Sequence, residues 1–292
     1  MKQSHIYNSA LWMVGAILAF SLTAIAGREA THGDGDDALS ISQLIFFRSI
    51  IGLLLVSCLV YWRLSSEDLA VRQSIFKLHL GRNAAHIIGQ WCWFYGLALL
   101  PLAQVFAIEF TVPIWTAIFA SILLSEQLSW RRVIAIGLGF VGVLVILRPG
   151  LIAVPLAAWI VLVGAIAYAL SHTVTKRLSD QVSALSILFY MHVIQLPIAL
   201  VLVCFDFAWP QGIIWFYVGI TAVAALTAHF CMAKALSYSD AMLVMPMDFL
   251  RLPLIAVIGF LFYGEVVDIW LLIGAGIMLF GNVMTLKEKS VN

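Results

Sequence analysis

The chain has 292 residues, 63% of them hydrophobic and 11% charged, with a formal net charge of +1. A soluble domain carries about 25% charged residues, so most of this chain is built to stay out of water. Near-neutrality also excludes the basic face that a nucleic-acid partner requires.

A membrane span needs about 20 mostly apolar residues. Taken in chain order, such stretches fall near residues 9–27, 43–62, 79–99, 102–124, 131–148, 154–173, 184–205, 212–234, 241–262 and 268–286. The first of them, around Leu11–Ala26, reads as a span and not as a cleavable signal, because similar runs follow throughout. The acidic loop Thr31–Asp37 comes next, and the mixed stretch 65–77 reads as a loop or a surface helix. Joints as short as Leu100–Pro101 and Ser239–Asp240 make the flanking spans antiparallel neighbours. Gly137, Gly139 and Gly142 match the dinucleotide fingerprint. No strand precedes them and they lie within a span, so they read as close helix packing. Cys58, Cys92, Cys204 and Cys231 lie in apolar runs without disulfide or zinc spacing and read as packing residues. No nucleotide-binding or catalytic motif is found. We therefore expect no cofactor, no metal and no enzyme activity, and any pumping must run on ion or substrate gradients.

Positive charge orients the chain. With a cytoplasmic N-terminus, the inner ends carry Lys2, Arg63, Arg72, Lys77, Arg82, Arg131, Arg132, Lys176, Arg177, Lys234, Lys287 and Lys289, against only Arg28 and Arg148 outside. Both termini are then expected in the cytoplasm, in a multi-pass protein of the inner (plasma) membrane, and the number of spans is even.

The sequence also repeats. A shift of 139 places Glu109 on Asp248, Phe110 on Phe249, Glu126 on Glu265, Gly137 on Gly276 and Gly142 on Gly281. Residues 1–150 and 151–292 thus read as two copies of a five-helix unit. Five is odd, so the second copy must be inverted, as in many secondary transporters that bind substrate at the midplane between repeats. The expected fold is an all-α integral membrane protein of ten transmembrane helices in two inverted five-helix repeats.

Several short motifs carry a resemblance in this order: Phe47–Arg48, the stretch Ala98–Ala103, Pro113, Ser125–Glu126, Gly137 and Gly142, echoed by Ala235–Ala241, Pro246, Gly264–Glu265, Gly276 and Gly281. On these the chain resembles the EamA-type members of the drug/metabolite transporter superfamily over nearly its whole length. The resemblance implies ten helices, termini inside and alternating access. It also implies export of amino acids and other metabolites, or uptake of compounds such as S-adenosylmethionine or riboflavin.

Charges inside a span are costly, about 2.5–3.5 kcal/mol on insertion scales, and usually face a cavity or a partner. Arg48, Glu109, Asp248 and Arg251 are of this kind. By helical rise Glu109 lies about 12 Å from one face, Asp248 about 10 Å from the other, and Arg48 at a depth like that of Glu109. These groups are expected to line a central cavity for substrate or protons, with Trp115 as a deep wall. Arg48 would pair with Glu109 or with an anionic substrate group, and Asp248 with Arg251, three residues on. Such a site suits a zwitterion, and a carboxylate in it could couple transport to protons. Trp91, Trp93 and Tyr95 read instead as an interfacial belt. His86, His172, His192 and His229 read as packing residues before proton relays. Pro113, Pro246 and Pro253 are candidate hinges. Glu126 and Glu265 read as caps at the entry to the next helix.

The leading function is a secondary-active exporter of small metabolites such as amino acids, partnered by its substrate and the lipid bilayer, as a monomer or homodimer. An uptake permease is the alternative. A non-transporting assembly protein is the reading from another class, disfavoured by the shortness of the loops.

Overall fold

The computed structural model describes residues 2–32, 38–63, 73–127, 129–148, 155–265 and 268–288. Among these residues it holds twelve α-helices and one 3-10 stretch. They are α1 (Lys2–Thr31), α2 (Ile41–Arg63), α3 (Gln73–Leu99), α4 (Leu102–Glu109), α5 (Val112–Leu123), α6 (Trp130–Leu147), α7 (Leu156–Ser179), α8 (Ala184–Val203), α9 (Ile214–Tyr238), α10 (Ala241–Val244), the 3-10 stretch Met245–Leu250, α11 (Arg251–Tyr263) and α12 (Ile269–Glu288). α4 and α5 together form the fourth span, and α10 to α11 the ninth.

Seven spans are long and apolar enough to cross a bilayer by hydropathy alone. The other three are α3, α6 and α12. The apolar parts of the last two are shorter, Val133–Ile146 and Ile269–Gly281. α3 is 27 residues long but dilutes its hydropathy with the buried residues His79, Arg82, Asn83, His86 and Gln90. It also starts earlier than the sequence suggests: residues 73–77 are already helical, and the rest of the mixed stretch 65–77 lies outside the described residues. So does most of the acidic loop, residues 33–37. Among the described residues the fold is thus an all-α membrane protein of ten spans, so Lys2, which opens the first span, and Glu288, which closes the tenth, fall on one face, here the terminal face. The outer surface presents bare apolar side chains such as Leu18, Leu54, Phe140, Val201 and Phe260, as lipid requires.

The most extensive helix contacts pair α1 with α9, α3 with α7, α6 with α12, and α2 with α8. In span order these are first with eighth, third with sixth, fifth with tenth and second with seventh. Exchanging the two halves turns the first pair into the second and maps each of the others onto itself. That is the pattern inverted repeats generate.

The tightest crossings use missing side chains. A Cβ on Gly142 would lie 2.7 Å from the Gly274 carbonyl oxygen, and one on Gly164 3.2 Å from that of Gly89. Gly142→Ala is therefore expected to destabilise the fold by about 1–3 kcal/mol through overpacking. Gly137→Ala, with nothing within 4 Å of its Cβ, should stabilise by up to about 1 kcal/mol through helix propensity. Thermal melts of the purified variants in one detergent check the contrast.

Both broken spans end alike. α5 closes through Ser125 at φ 56° and α11 through Gly264 at φ 63°. The N–H of the following glutamate then bonds six residues back, Glu126 to Ala120 O at 3.2 Å and Glu265 to Gly259 O at 3.0 Å. This is the Schellman turn, whose left-handed residue is normally glycine. Its effect is to aim each glutamate side chain across the bundle into the other half.

Candidate functional site

The fourth and ninth spans are interrupted near mid-membrane. In the fourth, Glu109 ends α4, Phe110 and Thr111 form a turn, and α5 resumes with Pro113 in its first turn. Proline has no N–H and its ring crowds the carbonyl four residues back, which here is that of Glu109 itself. In the ninth, Pro246 opens the 3-10 stretch, Asp248 lies within it, and Arg251 begins the helix that contains Pro253. Irregular backbone at membrane depth is tolerated where protein or a cavity surrounds it. Pro113, Pro246 and Pro253 all lie at these breaks.

The breaks bring three charges together. The Arg251 guanidinium donates through Nη2 to Glu109 Oε1 at 2.8 Å and to Asp248 Oδ2 at 2.6 Å. It also sits 4.8 Å from the Phe106 ring centre and 5.2 Å from that of Phe20. Glu109 Oε2 accepts from the Trp93 indole at 2.7 Å. Asp248 Oδ1 is buried without a hydrogen-bond partner. The Asp248–Arg251 pair is the one expected from their spacing.

Arg48 is fully enclosed and does not pair with Glu109. With the Gln90 amide turned so that its oxygen accepts, Arg48 Nη1 donates to it at 2.9 Å and Nε at 3.3 Å. Arg48 Nη2 has no partner. The Glu109 carboxylate is instead committed to Arg251, at the break in the ninth span, and to the Trp93 indole. Two arginines and two carboxylates cancel formally, but Arg82 is also buried, bonding only to Thr175 and Asn83. Neither Arg48 nor Arg82 forms an ion pair among the described residues. The interior therefore carries a surplus of positive charge.

Arg48, Glu109, Asp248, Arg251 and Pro113 line one cavity with Phe20, Thr23, Trp93, Phe110, Tyr168, His172, His229 and Met245. The room inside it for a water-sized sphere is only about 30 Å³. The cavity is constricted. Trp115 is not among its lining residues; it packs, half-buried, against the apolar core. It lies on α5, beyond the break that follows Glu109, so continuous helical geometry does not carry the cavity face on to it. Trp93, expected at the interface, is instead 5% exposed and tied to Glu109. Thr23, Tyr168, Gln90 and Met245 had no signal of their own beyond polar or aromatic character in mid-span.

The two glutamates at the span ends cross over. Glu265 accepts from the backbone N–H groups of Leu102 at 2.9 Å and Ala103 at 3.5 Å, opening α4, and from Arg28 at 2.6 Å. Glu126 accepts from those of Ala241 at 3.2 Å and Met242 at 3.3 Å, opening α10. Each carboxylate satisfies orphan donors and faces the positive end of a helix dipole. Each does so in the opposite half of the chain, one at each membrane face. The terminal-face tie borders a polar recess of about 480 Å³ lined by Ser125, Glu126, Lys176, Arg177, Asp180 and Asp240.

Comparison with known proteins agrees with this architecture. The family model for the EamA-like transporter family matches twice, over residues 8–148 and 155–287. A riboflavin transporter of Vibrio cholerae is 28% identical over 281 residues, covering 94% of this chain and 91% of the relative. An S-adenosylmethionine uptake transporter of Rickettsia prowazekii is 25% identical over 223 residues, covering 76% and 74%. The pseudopaline exporter CntI of Pseudomonas aeruginosa is 24% identical over 278 residues, covering 93% of each. A solved crystal structure with 16% identity superposes with a TM-score of 0.73 over 95% of this chain and 96% of its own, a likeness of fold alone. Two matched halves and a ten-span helical bundle, with transporters of small metabolites as relatives, place this chain in the EamA-like transporter family.

Proposed function

We propose that the protein is a secondary-active exporter of small zwitterionic metabolites such as amino acids, working by alternating access between residues 1–150 and 151–292. The carrying observation is the constricted cavity at two broken spans, whose wall offers an unpartnered Arg48 Nη2 and an unpartnered Asp248 Oδ1. A substrate carboxylate would meet the first and an ammonium the second, each repairing a buried polar atom that now lacks a partner. The Arg251–Glu109 pair holds the breaks in register and leaves Arg48 free. Pro113, Pro246 and Pro253 supply the bending points. The terminal face is the cytoplasmic one on the distribution of lysine and arginine.

A second reading is uptake of a flat metabolite. It is favoured by the aromatic share of the wall, Phe20, Trp93, Phe110 and Tyr168, and by the names of the riboflavin and S-adenosylmethionine relatives.

Counterflow in proteoliposomes decides between them, with a labelled amino-acid mixture, riboflavin and S-adenosylmethionine as probes and with vesicles loaded from either side. Glu109→Gln and Asp248→Asn should each lower flux at least about tenfold at equal protein content, since each removes a hydrogen-bonded charge worth about 1.5–3 kcal/mol. Wild-type flux in both would remove these carboxylates from the site. No counterflow of any probe would count against transport of these classes.

A further inference from the structure

Behind the cavity wall a second polar cluster joins the third and eighth spans, which correspond in the two halves. His86 of α3 and His229 of α9 face each other with Nε2 to Nε2 at 3.2 Å, both buried, His229 on the cavity wall. A hydrogen bond between two ring nitrogens requires one to carry the proton and the other to be bare.

The neighbours decide which. Asn83 Nδ2 donates to the His79 carbonyl at 2.8 Å, so its Oδ1 faces the two donors Arg82 Nη1 at 2.8 Å and Gln195 Nε2 at 3.1 Å. The same Gln195 amide nitrogen lies 2.9 Å from His86 Nδ1. An amide nitrogen only donates, so His86 Nδ1 is bare and the His86 proton sits on Nε2. It is donated to His229 Nε2, which must be bare, leaving the His229 proton on Nδ1.

This arrangement has one consequence for protonation. A proton added at His229 Nε2 sets an N–H against the N–H of His86, and the bond is lost. It could re-form only if His86 moved its own proton to Nδ1. Gln195 would then have to turn its oxygen toward His86, withdrawing its N–H from Asn83 and setting oxygen against oxygen there. The charged and titratable groups around the pair are Arg48 (α2), His79 and Arg82 (α3), Glu109 (α4), Tyr168 and His172 (α7), His192 (α8), and Asp248 and Arg251 of the ninth span. α1 contributes only the edge of Phe20 and has no ionisable residue between Tyr7 and Arg28. Three arginines surround the site, so a new imidazolium finds compensation only in Glu109 and Asp248. Of these, Asp248 keeps an oxygen uncommitted on the same cavity wall.

We propose that His229, held by His86 and Gln195, is the proton-binding site of the carrier, and that one proton taken from cavity water onto His229 Nε2 releases the tie between the third and eighth spans. One N–H bond forms, the His86–His229 hydrogen bond breaks, and nothing is oxidised or reduced. The proposal rests on the transport reading above, and moves proton coupling away from the carboxylates, which Arg251 already occupies.

Two measurements test it separately. Nitrogen-15 NMR of histidine-labelled full-length protein in lipid nanodiscs should show His86 as the Nε2–H form and His229 as the Nδ1–H form, coupled across the bond. Stepwise acidification from about pH 8 to the lowest pH the nanodiscs withstand should convert His229 to imidazolium and abolish that coupling. Gln195→Leu should scramble the His86 tautomer without unfolding the chain. If both rings keep their forms across that range, or His229 protonates with the bond intact, the proposal is overturned. In counterflow with the probes named above, wild-type flux should change by up to about tenfold per pH unit, as a one-proton requirement dictates. His229→Gln should flatten that profile, and a profile identical to wild type would also overturn the proposal. If no probe moves in wild type, the transport reading fails while the NMR result still decides the proton site.

Discussion

Arg251→Met is expected to abolish transport and to cost about 3–5 kcal/mol of stability, the penalty for stripping the partner from a buried ion pair. The effect should exceed that of either carboxylate substitution, because one guanidinium nitrogen serves both Glu109 and Asp248. Removing it leaves two negative groups facing each other in a cavity too tight for bulk water. Arg251→Lys should recover little, since an ammonium cannot reproduce the planar group stacked over Phe20 and Phe106. The triple variant Arg251→Met, Glu109→Gln, Asp248→Asn should regain most of the lost stability and none of the flux, because a neutral trio has no uncompensated charge left. Thermal melts and counterflow on the same preparations read both quantities. A single Arg251→Met protein with wild-type melting and flux would falsify the ion-pair account of the cavity.

The second large effect is expected at the crossed glutamates. Glu265→Gln weakens a tie at the face opposite the chain ends, and Glu126→Gln weakens its counterpart at the terminal face. A charge-assisted hydrogen-bond set of this kind is worth about 1.5–3 kcal/mol, so each change should shift the balance of open states by about ten- to a hundredfold. The directions must be opposite. A single cysteine at Thr23 on the cavity wall, in a background without Cys58, Cys92, Cys204 and Cys231, reports this with a membrane-impermeant thiol reagent. Glu265→Gln should raise labelling from the face opposite the chain ends, and Glu126→Gln from the terminal face. Equal or parallel changes would reduce both residues to ordinary helix caps.

Much of this was legible in the sequence, for reasons that can be stated residue by residue. Span number follows from apolar run length, and the duplication from pairs such as Glu109 with Asp248 and Glu126 with Glu265. The cost of burying a charge singled out Arg48, Glu109, Asp248 and Arg251. Partner choice was not legible. Depth arithmetic gives a residue's height in the membrane but not the direction it faces, and the 3-10 stretch Met245–Leu250 resets that direction for Arg251. For that reason Glu109 goes to Arg251 and not to Arg48, and Trp93 faces the cavity where Trp115 does not. The histidine pair was invisible because His86 and His229 lie on different helices, 143 residues apart in the chain. Only the packing of the third span near the eighth brings them together.

The pairing of helices across the two halves has a consequence for synthesis. Glu109 and its partner Arg251 are 142 residues apart. At about 5–20 residues per second on the ribosome, roughly 7–30 s pass between the two leaving the exit tunnel. Glu109 enters the bilayer in that interval with Arg251 still untranslated, and Arg82 enters before Thr175, each short of a contact that makes its burial tolerable. The nascent first half must therefore wait in a sheltering, partly hydrated environment, such as an insertion machinery that shields polar helices, until the ninth span arrives.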